Sequence, residues 1–530
     1  QMMSSLVRTN YFCDIETLAL KVDTSMLDDV PKPVPAFDVF VFGRYVEGIY
    51  LRTSKVARGG IRWSSRHIDY RTEVLGLMNA QQTKNAIIVP SGAKGGFVCR
   101  KELDDCYDFE EGKRCYRAYV EALLSITDNR VRGMVKHPKR VKCYDGKDDY
   151  LVVAPDKGTA TFSDLANEIA KDQSFWLADA FASGGSEGYD HKLLAITAKS
   201  AWVSALWHMK QLHLSEYGLS VVGIGDMSGD VFGNGLLLMK CQLKAAFNHQ
   251  HIFLDPTPDV LASYDERCRL FALPRSTWAD YDESVISSGG GVFERHAKFI
   301  PLSAEVQHML GIRRKRMAPD QLIQCILGMS VDLIWNGGIG TYIKADLETQ
   351  AMIGDRQNDG CRINASVVKA RMVAEGGNLG LTQLARIQYN AQGGAVNTDY
   401  IDNSGGVDCS DHEVNIKIVL EYLLSEGRID LKQKYEMLRT CQKEVVDLVL
   451  GNTLKQNIAI SMAEVLSSKH GLYYKKLIQK EVSLKRLKRK LACLPHDDEL
   501  DARAQKGKLL YRPELAFLMG HMKNTYQSIL

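Results

Sequence analysis

At 530 residues the chain is long enough for two or three domains of roughly 100 to 200 residues each, and its 45% hydrophobic and 25% charged content is that of an ordinary water-soluble globular protein. A net charge of only +3 argues against strong attraction to nucleic acid or to a membrane surface, and no apolar run approaches the roughly 18 residues of a spanning helix. The 12 cysteines are scattered, without a Cys-x-x-Cys pair or zinc-site spacing, so reduced thiols in a cytoplasmic protein are expected, with no disulfide framework and no metal.

The chain opens at Gln1 with no initiator Met, as expected of a piece of a longer protein, no basic-then-apolar leader is seen, and residues 1–35 are expected to form a lead-in. Residues 36–51 alternate apolar and polar around Gly43 and Gly48, predicting a hairpin at the start of a first domain, 36–182. Arg58-Gly59-Gly60-Ile61-Arg62 predicts a basic turn. Residues 71–86 predict a helix with an apolar stripe of Val74, Leu75, Leu77 and Met78, and Gln81 and Lys84, three apart, share one of its faces. Ile87-Ile88-Val89 predicts a buried strand stopped by Pro90. Ser91-Gly92-Ala93-Lys94-Gly95-Gly96 then predicts a loop whose glycines let the backbone approach a ligand closely. A single lysine in a Gly-rich turn is ordinarily a solvent-facing residue, but several cations around one short strand suit an anionic substrate. A lysine shielded among them is expected to have a lowered pKa and to exchange protons near neutral pH. Helices are predicted over 114–127 and 163–181, and a strand over Tyr150–Ala154 that ends at Pro155-Asp156-Lys157-Gly158.

A helix over about 190–215 leads into Leu219-Ser220-Val221-Val222-Gly223-Ile224-Gly225-Asp226, the strand-to-glycine passage of a dinucleotide fold in a second domain, 183–395. Ser228 stands where the third glycine of the fingerprint belongs. A helix is predicted from about Leu236 to Phe247, then a strand Ile252-Phe253-Leu254 ending in Asp255, twenty residues after Gly235. At that spacing an acid accepts hydrogen bonds from the adenosine ribose and repels a 2′-phosphate, which favours NAD over NADP. A turn and a strand-end aspartate without a ligand is the plainer alternative. An insertion at about 256–320 exceeds an ordinary crossover connection and receives no role. The region 396–530 is predicted to be mostly helical, with Ser410-x-x-Glu413 as a capping box for a helix over 414–424. Asp399, Asp402, Asp408, Asp411 and His412 match no metal-loop spacing. The eight Lys or Arg at 475–490 accompany an apolar stripe of Leu477, Leu484, Leu487 and Leu491, predicting a solvated amphipathic helix.

Taken together, Arg58-Gly59-Gly60-Ile61-Arg62, Gln81-Gln82-Thr83-Lys84-Asn85 and Ala93-Lys94-Gly95-Gly96 resemble the glutamate dehydrogenases. Val56-Ala57-Arg58-Gly59-Gly60-Ile61-Arg62-Trp63 and Gly225-Asp226-Met227-Ser228-Gly229-Asp230-Val231-Phe232-Gly233-Asn234-Gly235 resemble the large bacterial NAD-specific class. The likeness spans roughly 36–420 and continues more weakly to Leu530. It implies an α/β fold: a substrate-binding α/β domain, a Rossmann-like dinucleotide-binding domain, and a helical C-terminal segment closing onto the substrate domain. It implies reversible oxidative deamination of L-glutamate to 2-oxoglutarate and ammonia with NAD, in a cytoplasmic homo-oligomer that engages neither nucleic acid nor membrane. By resemblance Lys94 and Asp156 are catalytic, Arg58 and Ser404 hold the distal carboxylate, Gln81 and Lys84 hold the α-carboxylate, and Asn397 lines the substrate site. Thr197, Gly223, Gly225, Asp226, Ser228, Asp255, Asn336 and Asn378 are assigned to the nucleotide. Two departures stand out: Arg58 replaces the lysine of the smaller enzymes, and Ala195-Ile196-Thr197-Ala198-Lys199 replaces Ala-Thr-Gly-Tyr-Gly. A dehydrogenase for an apolar amino acid would leave a buried cation unpaired. An inactive regulatory or scaffolding module of the same fold is disfavoured by the intact Lys84, Lys94 and Asp156.

Overall fold

The computed structural model describes residues 2–28, 34–84, 91–100, 108–156, 158, 159 and 161–529, with side chains throughout except at 2, 79–84 and 527–529. The chain divides into two compact units, one of residues 1–191, 407–446 and 527–530, the other of 192–406 and 447–526. The helical region that follows residue 396 is therefore shared between them.

The first unit holds β1 (Leu6–Thr9), β2 (Leu18–Asp23), β3 (Phe37–Phe42), β4 (Val46–Arg52), β5 (Ala57–Trp63), β6 (Ser91–Cys99), a small hairpin of β7 (Asn129–Val131) and β8 (Met134–Lys136), then β9 (Lys142–Cys143) and β10 (Val152–Pro155). Eight of these form one mixed sheet in the order β10-β5-β6-β4-β3-β2-β1-β9, in which β10, β5 and β6 are parallel. The expected hairpin is β3 with β4. The lead-in is part of the sheet instead, through β1 and β2. Buried ion pairs tie that edge down: Arg8 with Asp128 at 2.8 Å, Lys21 with Asp148 at 2.6 Å, and Arg52 with Asp148 at 2.8 Å.

Both glycine-rich segments expected as turn and loop are strands, β5 and β6. Their glycines are there because neighbours press onto the sheet. A Cβ on Gly59 would lie 1.6 Å from the Ala93 carbonyl oxygen, one on Gly95 2.8 Å from Tyr119 Oη, and one on Gly96 2.4 Å from Val74. The alternation of a strand puts Gly95 toward Tyr119, on the helix Phe109–Ser125, and Gly96 toward Val74, on the helix Tyr70–Lys84. Lys94 shares the second face. The helix Tyr70–Lys84 buries Val74, Leu75 and Met78 against Ile49, Leu51 and Val98, each worth about 1.5–3 kcal/mol when fully removed from water. The expected strand Ile87–Val89 lies outside the described residues. Of the helix expected over 163–181, only Ser163–Asp172 forms, followed by a single turn at Ala178–Ala180.

In the second unit the helix Ile196–Leu212 precedes β11 (Ser220–Ile224), β12 (Gln242–Phe247), β13 (His251–Leu254) and β14 (Gly291–Glu294). Two short pairs, β15 (Ile300–Pro301) with β16 (Arg316–Met317) and β18 (Ile343–Lys344) with β19 (Ile363–Asn364), accompany β17 (Leu333–Asn336), β20 (Met372–Glu375) and β21 (Ala395–Val396). The main sheet runs β14-β13-β12-β11-β17-β20-β21, and its five strands from β12 to β21 are parallel. The helix expected over 236–247 is replaced by an earlier helix, Asp230–Leu238, and by β12. Leu243, Ala245 and Phe247 are buried at a spacing of two, the period of a strand. The insertion supplies β14, the helix Val260–Ala272 and the buried Trp278.

The helix Ser404–Ser425 starts well before the expected capping box, so Ser410 and Glu413 lie inside it. Gly405-Gly406 does not break it, because the helix Ile196–Leu212 crosses there: a Cβ on Gly405 would lie 2.7 Å from Ser200, and one on Gly406 2.7 Å from Thr197 Oγ1. A 39-residue helix, Leu431–Lys469, follows. The helix Gly471–Ser483 ends before Leu484, and Leu484 and Leu491 are 46% and 69% exposed, so of the expected stripe Leu487 is buried, together with Ile478, and the stripe as a whole does not form. Among the described residues no helix is long and apolar enough to cross a membrane.

Candidate active site

Lys94 and Asp156 meet on the first sheet. The register pairs Pro155, the last residue of β10, with Ile61, and Asp156 follows it; Lys94 sits between Gly92 and Gly95, the partners of Arg58 and Ile61, so lysine and aspartate reach β5 from the strands on its two sides. Lys94 Nζ lies 2.7 Å from Asp156 Oδ2. Gly60 makes room for the pair, since a Cβ there would lie 3.2 Å from both Lys94 Nζ and Asp156 Cβ. Arg62, two residues on, donates from Nε to Asp156 Oδ2 at 3.1 Å and from Nη2 to Oδ1 at 3.3 Å, while its Nη1 donates to Glu73 Oε1 at 2.8 Å. Burial alone would push the Asp156 carboxyl up, but Lys94 and Arg62 outweigh it and hold the group well below the usual carboxylate range. The centre is thus an alternation of charge, Lys94, Asp156, Arg62 and Glu73, on two strands, a strand end and a helix.

Arg58, four residues before Arg62 on β5, is buried. Its Nε donates to Tyr150 Oη, its Nη1 to the Asp411 carbonyl at 3.2 Å, and its Nη2 to Asn415 Oδ1 at 2.5 Å. Burial pushes the Asp411 carboxyl up to about 8 against the pull of Arg58, and Asp408 adds to the rise. The backbone of Gln81 and Lys84 belongs to the helix Tyr70–Lys84, and their side chains lie outside the described residues.

In the second unit the chain goes from β11 to β12 on one side and later returns as β17 on the other, which makes the β11/β17 junction the switch point of the sheet. Gly223, inside β11, faces Phe232 at 2.6 Å from its absent Cβ, and Gly225 has φ +136°, a backbone that a side chain would strain. Asp226 follows. Its Oδ1 accepts from Ser228 N at 3.1 Å, Ser228 Oγ at 2.6 Å and Gly229 N at 3.2 Å, and its Oδ2 from Asn248 Nδ2 at 2.9 Å. Asn336 ends β17 fully buried, with Oδ1 accepting from Gly338 N at 3.3 Å and Nδ2 without a hydrogen-bond partner. Beyond β20, a Cβ on Gly377 would lie 2.3 Å from the Gly338 oxygen, and Asn378 Oδ1 accepts from Asn403 at 3.0 Å. Thr197 lies in the first turn of its helix, after Ala195 in a left-handed conformation.

These two sites can now be set beside known proteins. The family model described as "Bacterial NAD-glutamate dehydrogenase, catalytic domain" matches residues 1–463. The chain belongs to this family. The NAD-specific glutamate dehydrogenase of Halomonas elongata is 50% identical over 543 residues, covering 100% of this chain and 34% of that protein. The NAD-specific glutamate dehydrogenase of Mycobacterium tuberculosis is 48% identical over 548 residues, covering 98% of this chain and 34% of that protein. The chain spans about a third of the length of the curated relatives it matches. The crystal structure of Plasmodium falciparum glutamate dehydrogenase shares the fold, with a TM-score of 0.53 at 15% identity over 96% of this chain and 83% of that one.

Within this bacterial glutamate dehydrogenase family member, two expected site residues take other places. Asp255 does not end a parallel strand. β13 runs antiparallel to β12, so Asp255 N donates to the Lys244 oxygen at 2.9 Å near the start of β12, at the end of the sheet opposite Gly225. It is fully buried, and its carboxylate accepts from Ser287. Asn397 is not open to a substrate either. Its amide donates to Asp402 at 2.7 Å and Asn457 at 3.0 Å, and its oxygen accepts from Arg512 at 2.6 Å, so a buried network consumes it. Ser404 Oγ donates to the Ile401 carbonyl at 3.0 Å and lies 3.5 Å from Gln456 Nε2.

The acidic residues near 400 disperse into separate tasks. Asp399 accepts from Leu379 N at 2.8 Å and Asp402 from Glu375 N at 2.9 Å, while Asp408 and His412 pair at 3.6 Å. Among the described residues one other group, Asp128, His137 and Cys143, brings ligand-type atoms within 4.8 Å, but Arg8 and Asp148 N already hold Asp128. Sequence reasoning missed Arg62 and Glu73, whose signal was a second arginine on the same basic motif, and Asn248, whose signal was the period-two burial of β12. It also missed Trp278 of the insertion, which stacks on Phe253 at 4.9 Å and donates to the Gly225 oxygen at 3.0 Å, bracing the glycine turn.

Proposed function

We propose that this chain carries out NAD-dependent, reversible oxidative deamination of L-glutamate to 2-oxoglutarate and ammonia. The observation that carries the reading is the ion pair of Lys94 and Asp156 at 2.7 Å, opened by Gly60 and braced by Arg62. A shielded ammonium beside a fixed carboxylate gives preorganised charge for intermediates formed at a carbon-nitrogen centre. In this reading Lys94 activates the water that attacks the oxidised substrate, and Asp156 keeps the lysine oriented and passes protons to and from nitrogen. Arg58 faces the distal carboxylate, held by Tyr150 and Asn415, while Gln81 and Lys84 take the α-carboxylate.

In the second unit the reading is supported by glycines at the end of β11 and beyond β17 and β20, where a side chain would meet Phe232, Ile224 or Val231, and by a buried Asn336 amide with an unused donor. NAD, when bound, supplies the hydride acceptor. Gly223, Gly225, Asp226, Ser228 and Asn336 would hold its phosphate and ribose groups, and Thr197 and Asn378 its nicotinamide half, with Ser404 kept for the substrate. The same reading makes the protein a cytoplasmic homo-oligomer. The test is reduction of NAD by the purified chain with L-glutamate, compared with norvaline. Glutamate-dependent reduction is expected, and its absence, or a preference for norvaline, overturns the reading.

A further inference from the structure

The second strand of a dinucleotide fold ordinarily ends in an acid that accepts hydrogen bonds from the adenosine ribose and rejects a 2′-phosphate. Here that strand is β12, and the residue that follows Phe247 is the neutral Asn248. The acid that the spacing suggested, Asp255, lies at the far end of the sheet. A carboxylate is nevertheless present beside the end of β12, because Asn248 Nδ2 donates to Asp226 Oδ2 at 2.9 Å. We infer that Asp226, carried by the glycine turn and held by Asn248, is the group that discriminates NAD from NADP. This deepens the nucleotide assignment made above and rests on it.

Three features fit that task. The Asp226 carboxylate is partly exposed, while Asn248 is buried and locked, its Oδ1 accepting from Gln250 N at 2.8 Å and His251 N at 2.7 Å. The orientation of the carboxylate is therefore set from both ends, Oδ1 by the turn and Oδ2 by the strand end. The charge also stands next to Gly225, whose φ of +136° sets the turn at the end of β11 that carries it. The cations around it are engaged elsewhere: the Arg295 guanidinium donates to the Asn248 carbonyl at 2.9 Å and lies 3.9 Å from Asp320, and the Lys192 ammonium donates to the Ser228 carbonyl at 3.1 Å. A 2′-phosphate brought to the end of β12 would meet the like charge of Asp226.

Asp226→Asn is the sharp variant, because an amide oxygen can still accept from Ser228 and Gly229 while the charge is lost. Calorimetric titration of the purified chain with NAD and with NADP reads the outcome without turnover. The wild type is expected to bind NAD in preference. In Asp226→Asn the ratio of NADP to NAD affinity should rise about tenfold to a thousandfold. Asn248→Ala, which frees the carboxylate at one end only, should move the ratio in the same direction by less, and this variant carries the test if Asp226→Asn does not fold. Asp255→Asn should leave the ratio where it was. A ratio unmoved in both Asp226→Asn and Asn248→Ala, with NAD still bound by the wild type, overturns the inference alone. A wild type that binds neither nucleotide overturns the nucleotide reading itself.

Discussion

Lys94 and Asp156 meet because β6 and β10 lie on the two sides of β5 in one sheet, Lys94 on β6 and Asp156 just past the end of β10, whereas the proposed nucleotide edge is assembled from the ends of β11, β12, β17 and β20, strands far apart in the chain. The first centre is rigid by construction: two strands, Gly60 between them, and a guanidinium that fixes the carboxylate from behind. The second is a set of loops whose shape depends on glycines and on one tryptophan from an insertion. Acid-base chemistry needs a fixed distance between two groups, and strand pairing supplies it. A nucleotide is bound at strand ends of a sheet's switch point, where turns and not paired strands shape the site.

The comparison predicts that the two regions can be disabled independently. Lys94→Ala should lower kcat by on the order of 100-fold or more while calorimetric NAD affinity stays at the wild-type level, since the lysine belongs to the first sheet and the nucleotide groups to the second. Loss of NAD binding together with turnover would show that the regions are not separable. Arg58→Leu should raise KM for glutamate about 10- to 100-fold, the worth of one or two hydrogen bonds to a charged group, with a smaller change for norvaline. Equal losses for both amino acids would assign Arg58 to the fold, as the support of Tyr150 and Asn415.

The smallest effect concerns Asp411. Its folded pKa of about 8 lies above the roughly 3.9 of an unfolded aspartate, so between those values the folded state retains a proton that the unfolded state releases. Wild-type stability therefore carries a cost that grows as pH rises through that window and is complete above it. Asp411→Asn removes the titration, and the melting temperature of the variant should gain on that of the wild type by several degrees between about pH 5 and about pH 8. Melting curves that stay parallel would mean that Asp411 is ionised throughout.

The same contrast explains what could be read from the residues. The order of Arg58, Lys94 and Asp156, the hairpin of β3 and β4, and the strand-to-glycine passage at β11 were legible, because each depends on a short stretch with one periodicity. The state of the glycines in β5 and β6 was not: glycine in a loop and glycine under a pressing Tyr119 or Val74 look alike until the helices are placed. Asp255 failed for a different reason. Counting residues assumes that the next strand is parallel, and the antiparallel β13 reverses which end of the sheet an acid occupies. Asn397 was legible as a motif but not as a hub, because its partners Asn457 and Arg512 come from helices far along the chain.

The most direct test of the whole account follows the hydrogen itself. The purified chain is given NAD and L-glutamate deuterated at Cα, and the reduced nucleotide is examined by mass spectrometry. Deuterium is expected in the reduced nicotinamide, and Lys94→Ala is expected to suppress its appearance. Reduced nucleotide without deuterium, or the same yield of labelled product from Lys94→Ala, would contradict it.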